Sequence, residues 1–407
     1  MITAILGGGA SGLVAAIAAS RNPACQVHIF ERQSRVCRKL LATGNGRCNL
    51  ANTHLTADAF HGTDPTFVLP SLQKFGLHQT LDFFGKLGLL TTTEPSGRVY
   101  PRSDQAGSVV DVLRFSLDRP NIHLHTGTEI TKIRRDSKGE FLLTGGGDNF
   151  SCHKIVAACG GLAGTALGGS MSGYQLLRSL GHHCTKLRPA LVQLKSSYPR
   201  CASLKGIRAV CNLRLTWDGE VIAQHSGEVQ FTAYGLSGPA IFEISRDACS
   251  KPGDWVCHLD LLPEIPLALL CRLLSARQRQ CPSLTAGNLL AGTVHNRLGQ
   301  ILVQEAGIPP NTPLAQLTSR DLRSVADAVK GFSMTLTGPM GMDCAQVTAG
   351  GVYTAEFDPS TLESRICPGL YACGELLDID GNCGGYNLQW AWSSGYIAGT
   401  EAGKELL

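Results

Sequence analysis

Residues 7–12 read Gly-Gly-Gly-Ala-Ser-Gly, and this run is the main indication of the fold in the sequence. It carries the spacing Gly-x-Gly-x-x-Gly between a predicted strand, Ile2–Leu6, and a predicted alanine-rich helix that begins at Gly12. In such a motif the first glycine permits a tight turn, the second lets the backbone approach a diphosphate, and the third allows close packing. The helix start also offers free N–H groups to an anion. The pattern therefore predicts dinucleotide binding.

A carboxylate stands where a ribose would need an acceptor. A second strand is predicted over residues 26–30 and ends at Glu31, nineteen residues after Gly12. In a dinucleotide-binding unit, an acidic residue at this position accepts hydrogen bonds from ribose hydroxyls. The glycine turn alone is weak evidence for dinucleotide binding, and Glu31 strengthens that prediction.

Later glycine-rich segments favour FAD over NAD. Residues 156–161 (Val-Ala-Ala-Cys-Gly-Gly) form a second strand-to-glycine turn, and residues 369–375 form a third that ends in Gly374 and Glu375. The run Gly-Gly-Tyr-Asn-Leu follows at residues 384–388. An NAD dehydrogenase does not need these far C-terminal contacts, whereas a flavin does. No second Gly-x-Gly-x-x-Gly is present, so NAD(P)H is expected only as a transient reductant.

Composition excludes several protein classes. With 407 residues, 43% hydrophobic and 17% charged, the chain can bury a large core, which excludes a disordered protein. None of the 16 cysteines forms a Cys-x-x-Cys pair, so a zinc ribbon and a disulfide framework are not expected. The first twenty residues lack the basic start of a signal peptide and the strong hydrophobicity of a membrane span. We therefore expect a soluble, cytoplasmic protein without metal or membrane partners.

The predicted elements suggest a cofactor domain that is interrupted in sequence. The first part of an FAD-binding domain covers residues 1–188, and a β-rich insert covers 189–262. Residues 263–330 form a helical insert, whose last helix begins with a capping box at Thr318 and Asp321. Residues 331–407 then return to the β insert and the second part of the FAD-binding domain.

A basic stretch raises the question of an anionic partner. No acidic residue lies between Asp148 and Asp218, although nine lysines and arginines do. The stretch is either an ordinary surface whose acids come from elsewhere in the chain, or a field for cofactor phosphates or RNA. Aromatic residues are only 6% of the chain, which argues against a rich base-stacking platform.

The run Arg-Lys-Leu-Leu-Ala-Thr-Gly-Asn-Gly-Arg-Cys-Asn at residues 38–49 resembles the signature of the BaiN/RdsA flavoprotein family. This family includes the YhiN-like and aminoacetone-oxidase-like proteins. Further segments match its pattern at residues 97–101, 231–239, 347–352 and 374–392. The resemblance implies an α/β fold: a Rossmann-like, two-dinucleotide-binding-type FAD domain of discontinuous sequence, with a β-barrel-like insert and a helical insert. Two positions depart from the pattern, because Cys37 replaces a usual glycine and Ser172 a usual aspartate.

The motifs and the resemblance together predict the residues that bind the cofactor. These are Gly7, Gly9, Ala10, Ser11, Gly12, Glu31, Arg32, Arg38, Lys39, Gly44, Gly46, Arg47, Cys48, Asn49, Ala158, Gly160, Gly374, Glu375, Asp380, Gly385, Tyr386, Asn387 and Leu388.

Two residues are candidates for proton transfer, Cys48 and Tyr234. Arg38 and Lys39 are expected to lower the pKa of the Cys48 thiol, which would then act as a general acid. The alternative for Cys48 is packing of its loop, and the alternative for Tyr234 is anchoring of its own loop. The pair His182-His183 has no further ligand at metal spacing and is expected to be structural.

The family resemblance implies an FAD-dependent oxidoreductase that reduces a polarised C=C bond. Two substrates fit: uridine in ribosomal RNA, and a small unsaturated oxo compound such as a bile-acid intermediate. One alternative is an aminoketone oxidase that uses oxygen. The other is a flavin-bearing protein that binds RNA or assists assembly.

Overall fold

The structure is a computed structural model and describes residues 1–136, 139–248 and 250–405, so Cys249 lies outside it. Two compact units divide the chain. The first combines Met1–Pro189 with the segment from Met342 onward, and the second is Ala190–Gly341. Both segments expected as inserts, 189–262 and 263–330, therefore fall almost entirely within one unit.

A five-stranded parallel sheet forms the centre of the first unit. Its strands, in order across the sheet, are Leu370–Ala372, Lys154–Ala157, Ile2–Leu6, Gln26–Glu31 and Ile122–Thr126. The central strands are apolar and buried along their length, as is typical of a parallel sheet that is covered on both faces. The two strands that precede the first two glycine turns lie side by side, with Leu6 opposite Ala157.

Smaller sheets complete the β structure of this unit. Three antiparallel strands, Ile130–Arg135, Phe141–Gly145 and Asp148–Cys152, form one of them. The remaining short strands are Ala51–Asn52, Phe60–His61, Thr91–Thr93, Arg98–Pro101, Val347–Ala349 and Asp380–Gly381, and Arg188–Ala190 lies where the chain leaves the unit.

The helices of the first unit include the one that begins in the glycine turn and the last one of the described chain. The first begins at Ala10, two residues before the predicted start, and nine of its ten residues are buried. The last helix of the described chain begins at Tyr386, within the run at 384–388. The α-helices of this unit are Ala10–Ala19, Arg38–Ala42, Leu69–Lys74, Leu77–Lys86, Ala106–Phe115, Ser172–Ser179 and Tyr386–Ala402.

Glycines bring the first and last helices into backbone contact. Gly395, Gly399 and Gly403 recur every fourth residue and therefore share one face of the last helix. A Cβ on Gly399 would lie 2.1 Å from the carbonyl oxygen of Ala15, and one on Gly395 would lie 2.4 Å from that of Ser11. No side chain fits at this crossing, so the small residues set the distance between the helices.

The second unit contains a closed six-stranded barrel. Its interior is hydrophobic, and Leu213, Leu215 and Cys257 are almost completely buried there. Its strands, in order around the barrel, are Leu194–Ser196, Gly235–Ser237, Glu220–Thr232, Arg208–Trp217, Trp255–Asp260 and Phe332–Pro339.

The last helix of the second unit begins where the sequence predicts. The expected capping box is present, because the Thr318 hydroxyl accepts the Asp321 N–H at 3.2 Å and the Asp321 carboxylate accepts the Thr318 N–H at 2.7 Å. The α-helices are Cys201–Leu204, Pro239–Ile244, Leu267–Gln280, Asn296–Glu305 and Ser319–Lys330.

Among the described residues, no helix has enough consecutive apolar residues to cross a bilayer. No disulfide joins the cysteines that the structure describes.

Three histidines cluster on the parallel sheet of the first unit. His28 and His123 are cross-strand neighbours with ring centroids 4.5 Å apart, and Nδ1 of His28 lies 3.1 Å from Nε2 of His125. Burial and the neighbouring imidazoles lower the pKa of His28 to about 4 and also lower that of His125. In a hydrogen bond between two imidazoles, one ring must accept the bond and must therefore be neutral. The arrangement of this cluster thus favours neutral histidines.

We predict that Gly399→Ala destabilises the protein by ~1–3 kcal/mol, because the new methyl group forces the two helix backbones apart. Thermal unfolding followed by circular dichroism would show the loss as a lower Tm. Gly85→Ala is the matched control: Gly85 lies in the helix Leu77–Lys86, and a Cβ there meets open space. This control should gain ~0.5–1 kcal/mol from helix propensity. Equal Tm values for the two variants would contradict the packing argument.

We predict that stability falls as the pH is lowered from about 6.5 towards 4. The unfolded chain binds protons on His28 and His125 near pH 6.5, whereas the folded chain resists protonation because these pKa values are lowered. His28→Gln should therefore reduce the loss of Tm between pH 7 and pH 5. The exposed His78→Gln serves as the control and should keep the full dependence. An unchanged pH profile in the His28 variant would exclude the cluster as the cause.

Candidate functional site

The first glycine turn has the geometry that the sequence predicts. Gly7 has φ +111° and donates its N–H to the Phe30 carbonyl at 2.8 Å. A Cβ on Gly7 would lie 2.4 Å from the Ala158 oxygen, and one on Gly12 would lie 2.0 Å from the Gly7 oxygen. Gly9 differs, since a Cβ there meets no atom within 4 Å. The backbone at Gly9 thus faces open space, as a turn that admits a diphosphate must.

Glu31 closes this turn from the adjacent strand. Its Oε2 accepts the Gly8 N–H and its Oε1 accepts the Gln33 N–H, both at 2.7 Å. Each carboxylate oxygen has a further lone pair. The side chain therefore orders the turn and still has acceptor capacity for hydroxyl groups.

A second glycine turn lies beside the first. It follows the strand Lys154–Ala157, and Gly160 has φ +71° with open space where a Cβ would stand. A Cβ on Gly161 would lie 2.4 Å from Oε1 of Glu375 and 2.5 Å from Oγ1 of Thr348. The second turn is therefore packed directly on side chains from the C-terminal part of the unit.

Gly374 connects the C-terminal segment to the first turn. Its φ is +71°, and a Cβ would lie 2.7 Å from Oγ of Ser11. Its N–H donates to Ser394 at 2.9 Å, and its carbonyl accepts from the Trp390 indole at 3.1 Å. The last helix thus holds Gly374 against the start of the first helix.

Lys39 and Glu375, both expected to bind the cofactor, bind each other. Nζ of Lys39 lies 2.6 Å from Oε2 of Glu375, and the side chains are 31% and 19% exposed. The other carboxylate oxygen accepts the Thr348 N–H at 2.9 Å.

The three arginines expected at the site are also bonded to protein atoms. Arg32 donates to the Gly168 carbonyl at 2.7 Å, and Arg38 donates to that of Ala166 at 3.2 Å. Arg47 pairs with Glu94 at 2.9 Å and with Asp104, and its guanidinium lies 4.0 Å from the centroid of the Tyr100 ring. These arginines fix loops of the unit.

The loop at residues 43–49 adopts an unusual backbone. Gly44, Asn45, Gly46 and Cys48 all have φ between +56° and +84°. Gly44 and Gly46 adopt this conformation readily, whereas Asn45 and Cys48 are held in it by their surroundings. Cys37, just before the helix Arg38–Ala42, has φ +58°, a conformation that glycine adopts more readily than cysteine.

Cys48 does not have the environment that the sequence analysis expected. Its side chain is completely buried in the core, and burial raises the pKa of the thiol to about 12. The expectation that Arg38 and Lys39 lower this pKa is wrong, because both cations are engaged elsewhere.

The C-terminal glycine run lies against the same loop. A Cβ on Gly385 would lie 2.4 Å from the Ala51 carbonyl oxygen, and the Asn49 amide bridges Ala51 and Gly385 at 3.2 Å each. Asn387 brackets Gly381, accepting its N–H at 2.8 Å and donating to its carbonyl at 2.7 Å.

The remaining residues of this region that were predicted to bind the cofactor differ in exposure. Asp380 is buried, whereas Tyr386 and Leu388 are half-buried.

Tyr234 belongs to the second unit. It lies in the turn between Glu220–Thr232 and Gly235–Ser237, with 41% of its surface exposed. Gly235 has φ +151°, and a Cβ there would lie 2.2 Å from the Leu194 carbonyl oxygen, so the turn is closely packed. Within the described residues, the hydroxyl of Tyr234 makes no hydrogen bond. The Tyr234 side chain is therefore partly exposed on a closely packed turn.

The pair His182-His183 was expected to be structural, and both side chains contact the Glu356 carboxylate, at 2.8 and 2.7 Å. Among the described residues, no group of three or more His, Cys, Asp or Glu side chains is arranged to hold a metal ion. Thr348 connects two motifs, yet the sequence analysis gave it no role. Its position in the glycine-rich segment 347–352 was the only available signal.

Comparison with known proteins identifies the family. The family model described as "HI0933-like protein Rossmann domain" matches residues 1–401. The chain is 41% identical over 404 residues to a 3-dehydro-bile acid delta(4,6)-reductase of Clostridium scindens, covering 98% of both chains. It is 31% identical over 394 residues to a ribosomal RNA dihydrouridine synthase of Escherichia coli, covering 96% of this chain and 95% of the relative.

A solved structure supports the fold. The 3-ketosteroid delta1-dehydrogenase of Sterolibacterium denitrificans, in complex with 1,4-androstadiene-3,17-dione, superposes with a TM-score of 0.54 at 11% identity. The match covers 98% of this chain and 99% of that one. The expected architecture is confirmed: a Rossmann-type FAD-binding domain with a closed barrel and helices inserted. The chain belongs to the HI0933-like family of Rossmann-domain proteins, and the resemblance noted in its motifs is correct.

Proposed function

We propose that this protein is an FAD-dependent oxidoreductase that reduces a polarised C=C bond and takes its electrons from NAD(P)H. The observation that carries the proposal is the 41% identity, over nearly the whole chain, to a reductase of dehydro bile acids. The glycine turn and its carboxylate supply the cofactor site that such a reaction needs.

The described residues fit FAD. The turn at residues 7–12 would hold the diphosphate, and Glu31 would accept from the adenosine ribose. The Cβ positions of Gly9, Gly46 and Gly160 all face open space, so backbone can approach a ligand at three separate points. When bound, FAD supplies hydride transfer, which side chains alone cannot perform.

A small unsaturated oxo compound is the substrate class that we propose first. The case for the basic stretch as an RNA-binding field is weaker in the structure, because two of its nine positive charges are paired within the fold and a third is buried. Arg200 pairs with Glu305 at 3.0 Å, Arg208 lies 3.6 Å from Glu228, and Lys154 is buried. Uridine in ribosomal RNA is the second candidate, and the 31% identity to a dihydrouridine synthase supports it.

Tyr234 is the proton donor in this proposal, and Cys48 is a packing residue. Reduction of an enone adds a hydride at one carbon and a proton at its neighbour, so the protein must supply an acid. Tyr234 is 41% exposed, whereas the Cys48 thiol is enclosed in the core. Exposure therefore favours the phenol over the thiol as the candidate acid.

The first prediction concerns the reaction itself. Purified protein should retain FAD and, under anaerobic conditions with NADH or NADPH, convert a 3-oxo-4,6-diene steroid into a product two hydrogens heavier. Mass spectrometry of the product measures this directly. In parallel, nucleosides from digested ribosomal RNA should contain the same dihydrouridine with and without the gene.

Each other outcome identifies a different function. Loss of dihydrouridine on deletion, restored by the gene, would replace the steroid with RNA. Peroxide release with an aminoketone would indicate an oxidase. A protein that binds RNA but whose flavin no substrate oxidises or reduces would be the non-enzymatic alternative.

The second prediction concerns the proton donor. Tyr234→Phe should lower kcat about 100-fold, the lower end of the range for loss of a general acid, while reduction of the flavin by NAD(P)H keeps its rate. Stopped-flow measurement of the two half-reactions separates these effects.

Tyr353→Phe is the matched control, since this tyrosine is 36% exposed and should leave kcat unaffected. Cys48→Ala should lower Tm and leave the kcat of the flavin-loaded protein close to that of the parent. A folded, flavin-loaded Cys48 variant without turnover would return the acid role to the thiol.

A further inference from the structure

One carboxylate joins segments that are far apart in sequence. Glu375 follows the C-terminal strand Leu370–Ala372, and its Oε2 lies 2.6 Å from Nζ of Lys39 in the helix Arg38–Ala42. Its Oε1 accepts the N–H of Thr348 at 2.9 Å. Three of the motifs singled out in the sequence, at residues 38–49, 347–352 and 374–392, therefore meet at this side chain.

Thr348 adds the second glycine turn to this network. Its hydroxyl oxygen is completely buried and accepts the N–H groups of Leu162 and Ala163, each at 2.9 Å. Gly161 passes so close to Glu375 and Thr348 that only a glycine fits. The Glu375 carboxylate thus shapes the turn that follows the strand Lys154–Ala157.

This arrangement places negative charge beside an anion site. Gly374 packs so closely on Ser11 of the first turn that a Cβ on Gly374 would lie 2.7 Å from the Ser11 Oγ, and Glu375 is the next residue. Glu31 already contributes one carboxylate at that turn. A diphosphate in the turn would meet a second uncompensated carboxylate if Lys39 were absent, and such repulsion is strong in a partly buried site.

We propose that Lys39 is a charge-compensating positioning residue for FAD. It neutralises Glu375, so that this carboxylate can hold the second glycine turn without repelling the diphosphate. Lys39 acts through Glu375 and not by direct contact with a phosphate. The inference rests on the proposed FAD-dependent function and names the residue that makes the cofactor site electrostatically acceptable.

The test measures FAD affinity by the recovery of flavin fluorescence on release. Lys39→Met should weaken FAD binding about tenfold at low ionic strength, and the defect should shrink as salt screens the uncompensated carboxylate. Lys39→Arg should restore most of the affinity, because it keeps the positive charge.

The double variant separates charge compensation from mere loss of packing. Lys39→Met combined with Glu375→Gln should bind FAD more tightly than Lys39→Met alone, because the carboxylate that Lys39 neutralises is gone. Glu375→Gln alone, which keeps an oxygen to accept the Thr348 N–H, is the reference for loss of the carboxylate charge itself. A double variant as weak as Lys39→Met, or weaker, would overturn the proposal.

The control and the parent protein distinguish the possible failures. Lys86→Met removes an exposed lysine that pairs with Asp82 on a surface helix, and it should not change FAD affinity. If Lys39→Met fails to fold, the double variant is compared with the parent: an affinity close to that of the parent supports charge compensation, and a loss of about tenfold or more overturns it. If the parent binds no FAD, the proposed function itself is contradicted. If the parent binds FAD and Lys39→Met binds it equally tightly, only this inference is contradicted.

Discussion

The first and last helices of the first unit meet backbone to backbone, and this contact determines where the C-terminal segment lies. Gly395 and Gly399 let the helix Tyr386–Ala402 approach Ser11 and Ala15 so closely that no side chain intervenes. The same helix holds Gly374 through Ser394 and Trp390. The C-terminal segment can therefore reach the glycine turn only because the helix that follows it packs without side chains at the crossing.

Sequence patterns predicted the local elements well and the long-range ion pairs poorly. The strand–turn–helix at the N-terminus and the capping box of Thr318 depend on neighbouring residues, and local sequence contains that information. The partners of the basic residues do not follow from spacing. Lys39 and Glu375 are 336 positions apart, and each was expected to face the cofactor. The sequence predicted cofactor contacts for both residues and contained no sign that they pair with each other.

Cys48 shows the same limit for reactivity. Polar, glycine-rich neighbours in sequence suggested an accessible thiol beside two cations, but side chains from other segments enclose it. Burial raises the pKa of a thiol, and this effect outweighs cations that are engaged elsewhere. The pKa of a residue depends on its three-dimensional surroundings, which a glycine-rich motif does not specify.

The barrel of the second unit begins and ends at adjacent strands. Its first strand, Leu194–Ser196, pairs antiparallel with its last, Phe332–Pro339, so Leu194 and Pro339 are cross-strand neighbours about 5 Å apart. Because the two ends of this insertion are neighbours, the insertion hardly changes the distance between the two chain positions that it joins. Evolution can therefore exchange or remodel this module within the family while the cofactor-binding host keeps its geometry, and relatives with different substrates need not have rebuilt the Rossmann core.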